Sequence, residues 1–390
     1  MDIKYFDNAA TTKIKDEVLK EMLPYLMVEY GNPSSPYSLG RSAKRAMENA
    51  RKKVSNLLNC SDDEIYFTSC GSESDNLALK GLSYIQKYKK TGKNHIITSK
   101  IEHPAILNTA KTLEKQGFKV TYIGVDKEGF INLNQLEEEI TPETFLISIM
   151  FANNEIGTIE PIEEISKIAH KHNIIFHTDA VQAVGNVPID VKKLGIDMLS
   201  LSGHKLYAPK GIGALYVKNG IEIERFLDGG SQEKGKRSGT ENIAEIVALG
   251  KACEIANKNL PEYMQKLKGF RDYFLKNITE KIPEVIINGS LEKRLPGNCN
   301  LCFKNMESGE LLLKLDEVGI CAAGRSACSS SNSIPSHVLA AIGVPNEIAK
   351  GALRITFGDF NTQDEVEFLV KKLEEIVRWT LEMFLSMSLS

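Results

Sequence analysis

One tryptophan, 13 prolines and seven histidines among 390 residues leave little in this chain to suggest a specialised environment. No apolar run approaches the roughly 18 residues that a membrane span needs, so no membrane association is expected. Charge of one sign is missing too. The 48 Lys and Arg against 51 Asp and Glu leave a net charge of −3, which creates no field toward nucleic acid or an anionic surface. The opening MDIKYFDNAATT lacks the basic-then-apolar layout of a signal peptide, and a cytoplasmic location is the expectation. The seven cysteines (Cys60, Cys70, Cys253, Cys299, Cys302, Cys321 and Cys328) are an odd set without regular spacing, which argues for thiols over a disulfide framework. Cys299 and Cys302 form a lone C-x-x-C with no second pair at zinc spacing. No metal is therefore expected, and NCNLCF reads instead as the edge of a strand. No internal repeat, low-complexity tract or proline-rich linker is present.

What remains is an ordinary globular composition, 42% hydrophobic and 25% charged. Short β-branched or aromatic segments at 64–69, 95–99, 119–125, 144–150, 174–179, 197–202 and 213–217 read as strands. Helical patterns at 72–88, 103–117 and 161–173 separate several of them. Such alternation predicts an α/β domain with a mostly parallel sheet covered on both faces. From about residue 255 the pattern changes to a charged helical stretch (261–282), short strands (284–304, and about 318–323) and helices (308–319, 364–385). This reads as a smaller α+β domain. The expected division is 13–255 for the large domain, with 1–12 and 256–390 forming the small one.

In open α/β sheets ligands gather at the carboxyl ends of the strands. Here those ends read TSCGSESDN, TSKIEHP, MFANNEIG, HTDAVQA and LSGHKLYAPKG. Gly71 and Ser72 begin a helix, with Ser72 as the expected N-cap and Asp75 closing an S-x-x-D box. A helix start of this kind suits a phosphate, or is plain capping. Asp179, with Gln182 three residues on, places a carboxylate where it could keep a pyridine nitrogen protonated, or cap a helix. Ser202 and His204 offer phosphate donors, and Lys205 offers an amine directly after a buried-looking strand. Cys328 stands in GRSACSSSNSIPSHVL, among small polar residues where a core cysteine is out of place. An exposed reactive thiol fits that setting.

The ordered motifs TSCGSESDN, IEHPA, ANNEIG, HTDAVQAVG, LSGHKLYAPKGIG, RSGTEN and SACSS resemble the cysteine desulfurases of the NifS/IscS type. The likeness runs from DNAATT (7–12) to RITFG (354–358). It implies an aminotransferase-like fold of type I and a pyridoxal 5'-phosphate (PLP) cofactor. The reaction it implies takes sulfur from L-cysteine as a persulfide on Cys328 and leaves L-alanine. By that resemblance Lys205 carries the cofactor as a Schiff base and moves the substrate proton, Asp179 pairs with the pyridinium nitrogen, and His103 stacks on the ring and shuttles protons. Asn154 and Gln182 reach the ring hydroxyl side. Gly71, Ser72, Ser202 and His204 hold the phosphate, and Thr240 completes that site from the second subunit of a homodimer. Arg354 receives the substrate carboxylate, with Asn154 beside it, unless it is a structural surface arginine. The sulfur would pass on to an acceptor protein, such as an iron–sulfur scaffold.

The chain departs from the family's pattern at Cys70-Gly71-Ser72, at Ala208, and at Arg325 before Ser-Ala-Cys. No family scaffold-docking tail is recognisable in LEMFLSMSLS. Selenocysteine lysis, C–S lysis or transamination on the same fold are the nearest alternatives. A non-catalytic regulator would not need Lys205, Asp179 and Cys328 together.

Overall fold

A computed structural model describes residues 3–324 and 336–388. Its strands are β1 (Lys4–Tyr5), β2 (Ile65–Thr68), β3 (His95–Ser99), β4 (Lys119–Ile123), β5 (Thr144–Ser148), β6 (Ile175–Asp179), β7 (Met198–Ser202), β8 (Gly213–Val217), β9 (Ile286–Ile287), β10 (Asn298–Cys302), β11 (Ile320–Cys321) and β12 (Ala352–Thr356). Seven of them form one sheet in the order β2-β8-β7-β6-β5-β3-β4. Strands β7, β6, β5, β3 and β4 run parallel, whereas β8 lies antiparallel to both β2 and β7.

Alternate residues of these strands enter different cores, as the two-residue period requires. Ile97 and Ile147 pack on one face with Met47 and Val54 of the helix Ser38–Leu58. Ile96 and Leu146 pack on the other, with Leu77 and Leu82 of the helix Gly71–Tyr88 and Ile106 of the helix Pro104–Lys115. Burial on both faces explains why these strands read as continuous apolar runs. Each such side chain contributes about 1.5–3 kcal/mol.

The sequence reading left out the helices Asp16–Met27 and Ser38–Leu58. The second buries Ala43, Ala46, Met47, Ala50 and Val54, a stripe of mostly small residues with little apolar weight. The helix expected from 261 begins much earlier, at Ile243, and continues through Pro261 to Lys281. Its buried residues fall in two sets, Ile243–Cys253 and Leu267–Ile278, with none in the turns around Pro261. The first set joins the core under the large sheet. The second joins a separate core around Phe6, Phe303, Leu353 and Phe357. There Phe357 meets Phe6, Phe270 and Phe274 edge-on, with centroids 5.8, 6.0 and 5.9 Å away.

Above this second core lies an antiparallel sheet in the order β12-β10-β9, and β1 pairs in parallel with β11. Strand β10 is therefore central, not an edge as NCNLCF suggests. Cys299 and Cys302 are both buried within it. No helix among the described residues is long and apolar enough to cross a membrane.

Candidate active site

The ends of β2, β3, β5, β6 and β7 converge on one cleft of about 820 Å³, counting the open space at its mouth. Gly71, Ser72, His103, Asn154, Asp179, Gln182, Ser202, His204, Lys205 and Arg354 all line it, as the sequence reading grouped them. Residues separated by more than 280 positions in the chain thus share one chamber.

At the β2 end the helix cap differs from the expected one. Cys70, not Ser72, is the N-cap, and its sulfur accepts the Glu73 N–H at 3.4 Å. The Glu73 carboxylate in turn accepts the Ser69 N–H at 2.7 Å, tying the helix start to the residue before its cap. Asp75 is freed from capping and turns inward. Gly71 has a steric reason: a Cβ there would lie 2.6 Å from Val181 Cγ2. Val181 is β-branched and cannot swing aside cheaply. Gly71→Ala should lower stability by about 1–3 kcal/mol in chemical denaturation, and adding Val181→Ala should recover most of the loss. An undiminished midpoint in the single variant would show that the helix start shifts freely.

Lys205 ends a short turn, Gly203–Lys205, that follows β7. Its Nζ donates to the backbone carbonyls of Ala9 and Ala10, the latter at 2.6 Å. Gln182 Nε2 also donates to Ala9 O, at 3.0 Å. Thr12 Oγ1 donates to His204 O at 2.8 Å, and His204 Nδ1 lies 3.1 Å from Thr11 Oγ1. The segment DNAATT is thus a strap across the lysine turn, a role that its motif match alone does not disclose.

Asp179 and His103 stand across the cleft from that strap. Asp179 accepts the Val181 N–H at 2.9 Å. Burial pushes its carboxyl upward, opposed by His103, by the Val181 N–H and by the Lys205 charge. His103 caps the helix Pro104–Lys115, its Nδ1 accepting the Ala105 N–H at 3.2 Å. The proton of the neutral ring is therefore on Nε2. Burial lowers the imidazole's affinity for a second proton. His204 is likewise pushed down, to about 4, by burial and by Lys205. Asp75, His103 and Asp179 each bring one polar side-chain atom within 4.8 Å of the others.

Arg354, on β12, is 1% exposed, so it is no surface arginine. Its Nη2 pairs with Asp7 at 2.7 Å, and its Nη1 donates to Asn154 O at 3.0 Å. Nε is buried without a hydrogen-bond partner among the described residues. Thr240 is exposed and does not line the cleft. Its loop is tethered through Arg237, whose Nε donates to Glu73 at 2.7 Å. Cys328 and Arg325 lie outside the described residues. The sequence reading missed Ala9, Ala10, Asp7 and the inward turn of Asp75. Only DNAATT and the acid in SESDN signalled them.

The family model described as aminotransferase class-V matches residues 4–369. The chain belongs to that family. Cysteine desulfurase IscS of Clostridium botulinum (strain Hall) is 52% identical over 381 residues, covering 97% of this chain and 95% of that protein. Among solved structures, a NifS-like protein superposes with a TM-score of 0.91 at 40% identity, over 97% of this chain and 100% of the other. A structure described as SspA in complex with cysteine gives 0.80 at 39% identity, covering 92% and 100%. Within its family, this chain is a cysteine desulfurase of the IscS/NifS type.

Proposed function

We propose that the cleft binds PLP and that the enzyme passes the sulfur of L-cysteine to the Cys328 thiol, releasing L-alanine. The observation that carries this reading is the meeting of an amine, a buried carboxylate and a helix start in one chamber, at Lys205, Asp179 and Gly71-Ser72. The residues fit the cofactor. Where a side chain at position 71 would strike Val181, glycine leaves backbone N–H groups open to a phosphate, and Ser202 and His204 stand beside them. Thr240 would complete that phosphate site from the partner subunit.

PLP, when bound, supplies an electron sink for the charge that develops at the substrate Cα. Lys205 would hold it covalently and then use its freed amine to move the Cα proton. Asp179 would hold the ring nitrogen's proton, while Gln182 and Asn154 would orient the ring from its hydroxyl side. Arg354 would bind the substrate carboxylate through its Nε–H and the second N–H of Nη2, with Asp7, on the first, fixing the guanidinium plane. His103, neutral and with its proton on Nε2, would pass protons to and from the reacting thiols.

The Cys328 thiolate would attack the substrate sulfur. One S–S bond forms as the C–S bond breaks, and the carbon fragment keeps the electron pair that becomes the alanine C–H. The resulting persulfide would go to an acceptor protein. Leu19, Leu23, Leu26 and Met27 of the helix Asp16–Met27 are exposed, in keeping with a homodimer, and a cytoplasmic setting is in keeping with the free thiols.

The test is to supply purified, cofactor-loaded protein with L-cysteine and measure alanine. Without a reductant, alanine should stop after a single turnover per subunit, with sulfur bound to the protein. A thiol reductant should then restore turnover and release sulfide. Pyruvate with free sulfide from the first turnover would identify a lyase instead.

A further inference from the structure

Beneath the ring-facing carboxylate lies a second acid that the proposed chemistry does not use. Asp75, in the second turn of the helix Gly71–Tyr88, is 1% exposed. Its Oδ1 is buried without a hydrogen-bond partner among the described residues, 3.8 Å from His177 Nε2. That histidine does not provide a counter-cation. Its Nδ1 lies 2.9 Å from Ser148 Oγ and its Nε2 lies 3.0 Å from Ser200 Oγ, and burial depresses its pKa to about 3. Asp75 and Asp179 bring carboxylate oxygens within 4.8 Å of each other.

Two buried carboxyls this close oppose each other's ionisation, so one of them is favoured to keep its proton near neutrality. Which one keeps the proton follows from their surroundings. Asp179 accepts a backbone N–H and faces the Lys205 ammonium, and both favour its anion. Burial disfavours the Asp75 anion, Asp179, Glu102 and Cys70 add to that, and the Ser200 hydroxyl offsets it in part. Glu102 is itself buried and pushed toward its neutral form.

We infer that Asp75 is a positioning residue: it holds the proton of a carboxyl pair with Asp179, so that Asp179 carries the pair's negative charge toward the cofactor ring. The inference deepens the PLP reading and rests on it. A neutral Asp75 lets one anion meet one pyridinium. An ionised Asp75 would place a second, unpaired charge in the protein interior.

The test compares the full-length protein with Asp75→Asn, which keeps the shape of the side chain and its neutrality, in both cofactor-loaded and cofactor-free form. The infrared difference between the two proteins near neutral pH should show the carbonyl stretch of a protonated carboxylic acid. Carboxylate bands in its place would overturn the inference. Stability gives an independent reading with a fixed sign. A carboxyl raised in the folded state keeps a proton that the unfolded chain gives up, so its contribution falls as pH rises above the ordinary carboxylate range. The stability of Asp75→Asn relative to the parent should therefore climb between about pH 5 and pH 8. A flat or falling difference would contradict the proposal.

Cofactor affinity, followed by absorbance, should stay within about threefold of the parent, and a larger loss would mean that Asp75 works as an anion. The measurements on cofactor-free protein can fail while PLP binding stands. Absence of PLP binding by the parent protein would sink the cofactor reading without touching them.

Discussion

Lys205→Ala should abolish alanine formation, with a loss of about 10³-fold or more, the scale seen when a proton-transferring or nucleophilic group is removed. The amine lies at the end of a turn fixed by β7 on one side and by the carbonyls of Ala9 and Ala10 on the other. In the parent protein, borohydride should fix the cofactor to the peptide that contains Lys205. In the variant, the cofactor should bind through its phosphate and ring contacts alone and leave on dialysis. Loss of the lysine removes two hydrogen bonds to the strap, but Gln182 still donates to Ala9 O and Thr12 to His204 O. Circular dichroism should therefore remain that of a folded chain. A labelled peptide elsewhere, or a variant that keeps more than a tenth of the activity, would move the amine's role to another residue.

Cys328→Ser should keep the cofactor spectrum and its response to cysteine, yet form no protein-bound persulfide and lose about 10³-fold or more in alanine output. A serine hydroxyl does not reach its anion at neutral pH, and a persulfide requires sulfur. The other cysteines make this prediction sharp. Burial pushes Cys60, Cys253 and Cys299 up to about 12, and it raises Cys302 and Cys321 as well. At pH 7 a thiol near 12 is ionised to about one part in 10⁵, far too little for nucleophilic attack. Cys70 differs, because it lines the cleft, and its sulfur already accepts an N–H. The double comparison is decisive. Activity that survives Cys328→Ser but disappears on Cys70→Ala would transfer the sulfur-carrying role to Cys70.

Much of the site is legible before folding because Gly71, Ser72, Asp179, Ser202, His204 and Lys205 stand at or just after strand ends with a local signature. Strands β3 and β8 lie where their β-branched and aromatic runs predict, and Asp179, Ser202 and Lys205 follow from the ends of their own strands. The ordered motifs extend this to the family and its activity. The Ser38–Leu58 helix escapes the same reading because it packs through alanines, whose burial depends on what lies opposite and not on their own hydrophobicity.

The chain by itself determined the α/β alternation, the polar strand ends and the residue types needed for amine, carboxylate and phosphate chemistry, since all of these are written in neighbouring residues. Only the tertiary structure decided that Cys70 and not Ser72 caps the helix, that Asp75 turns inward beside Asp179, and that Asp7 holds Arg354. The last two depend on contacts between segments up to 347 positions apart, as for Asp7 and Arg354. A local pattern fixes which way a side chain leaves its own element, but not which charge, carbonyl or wall it meets there.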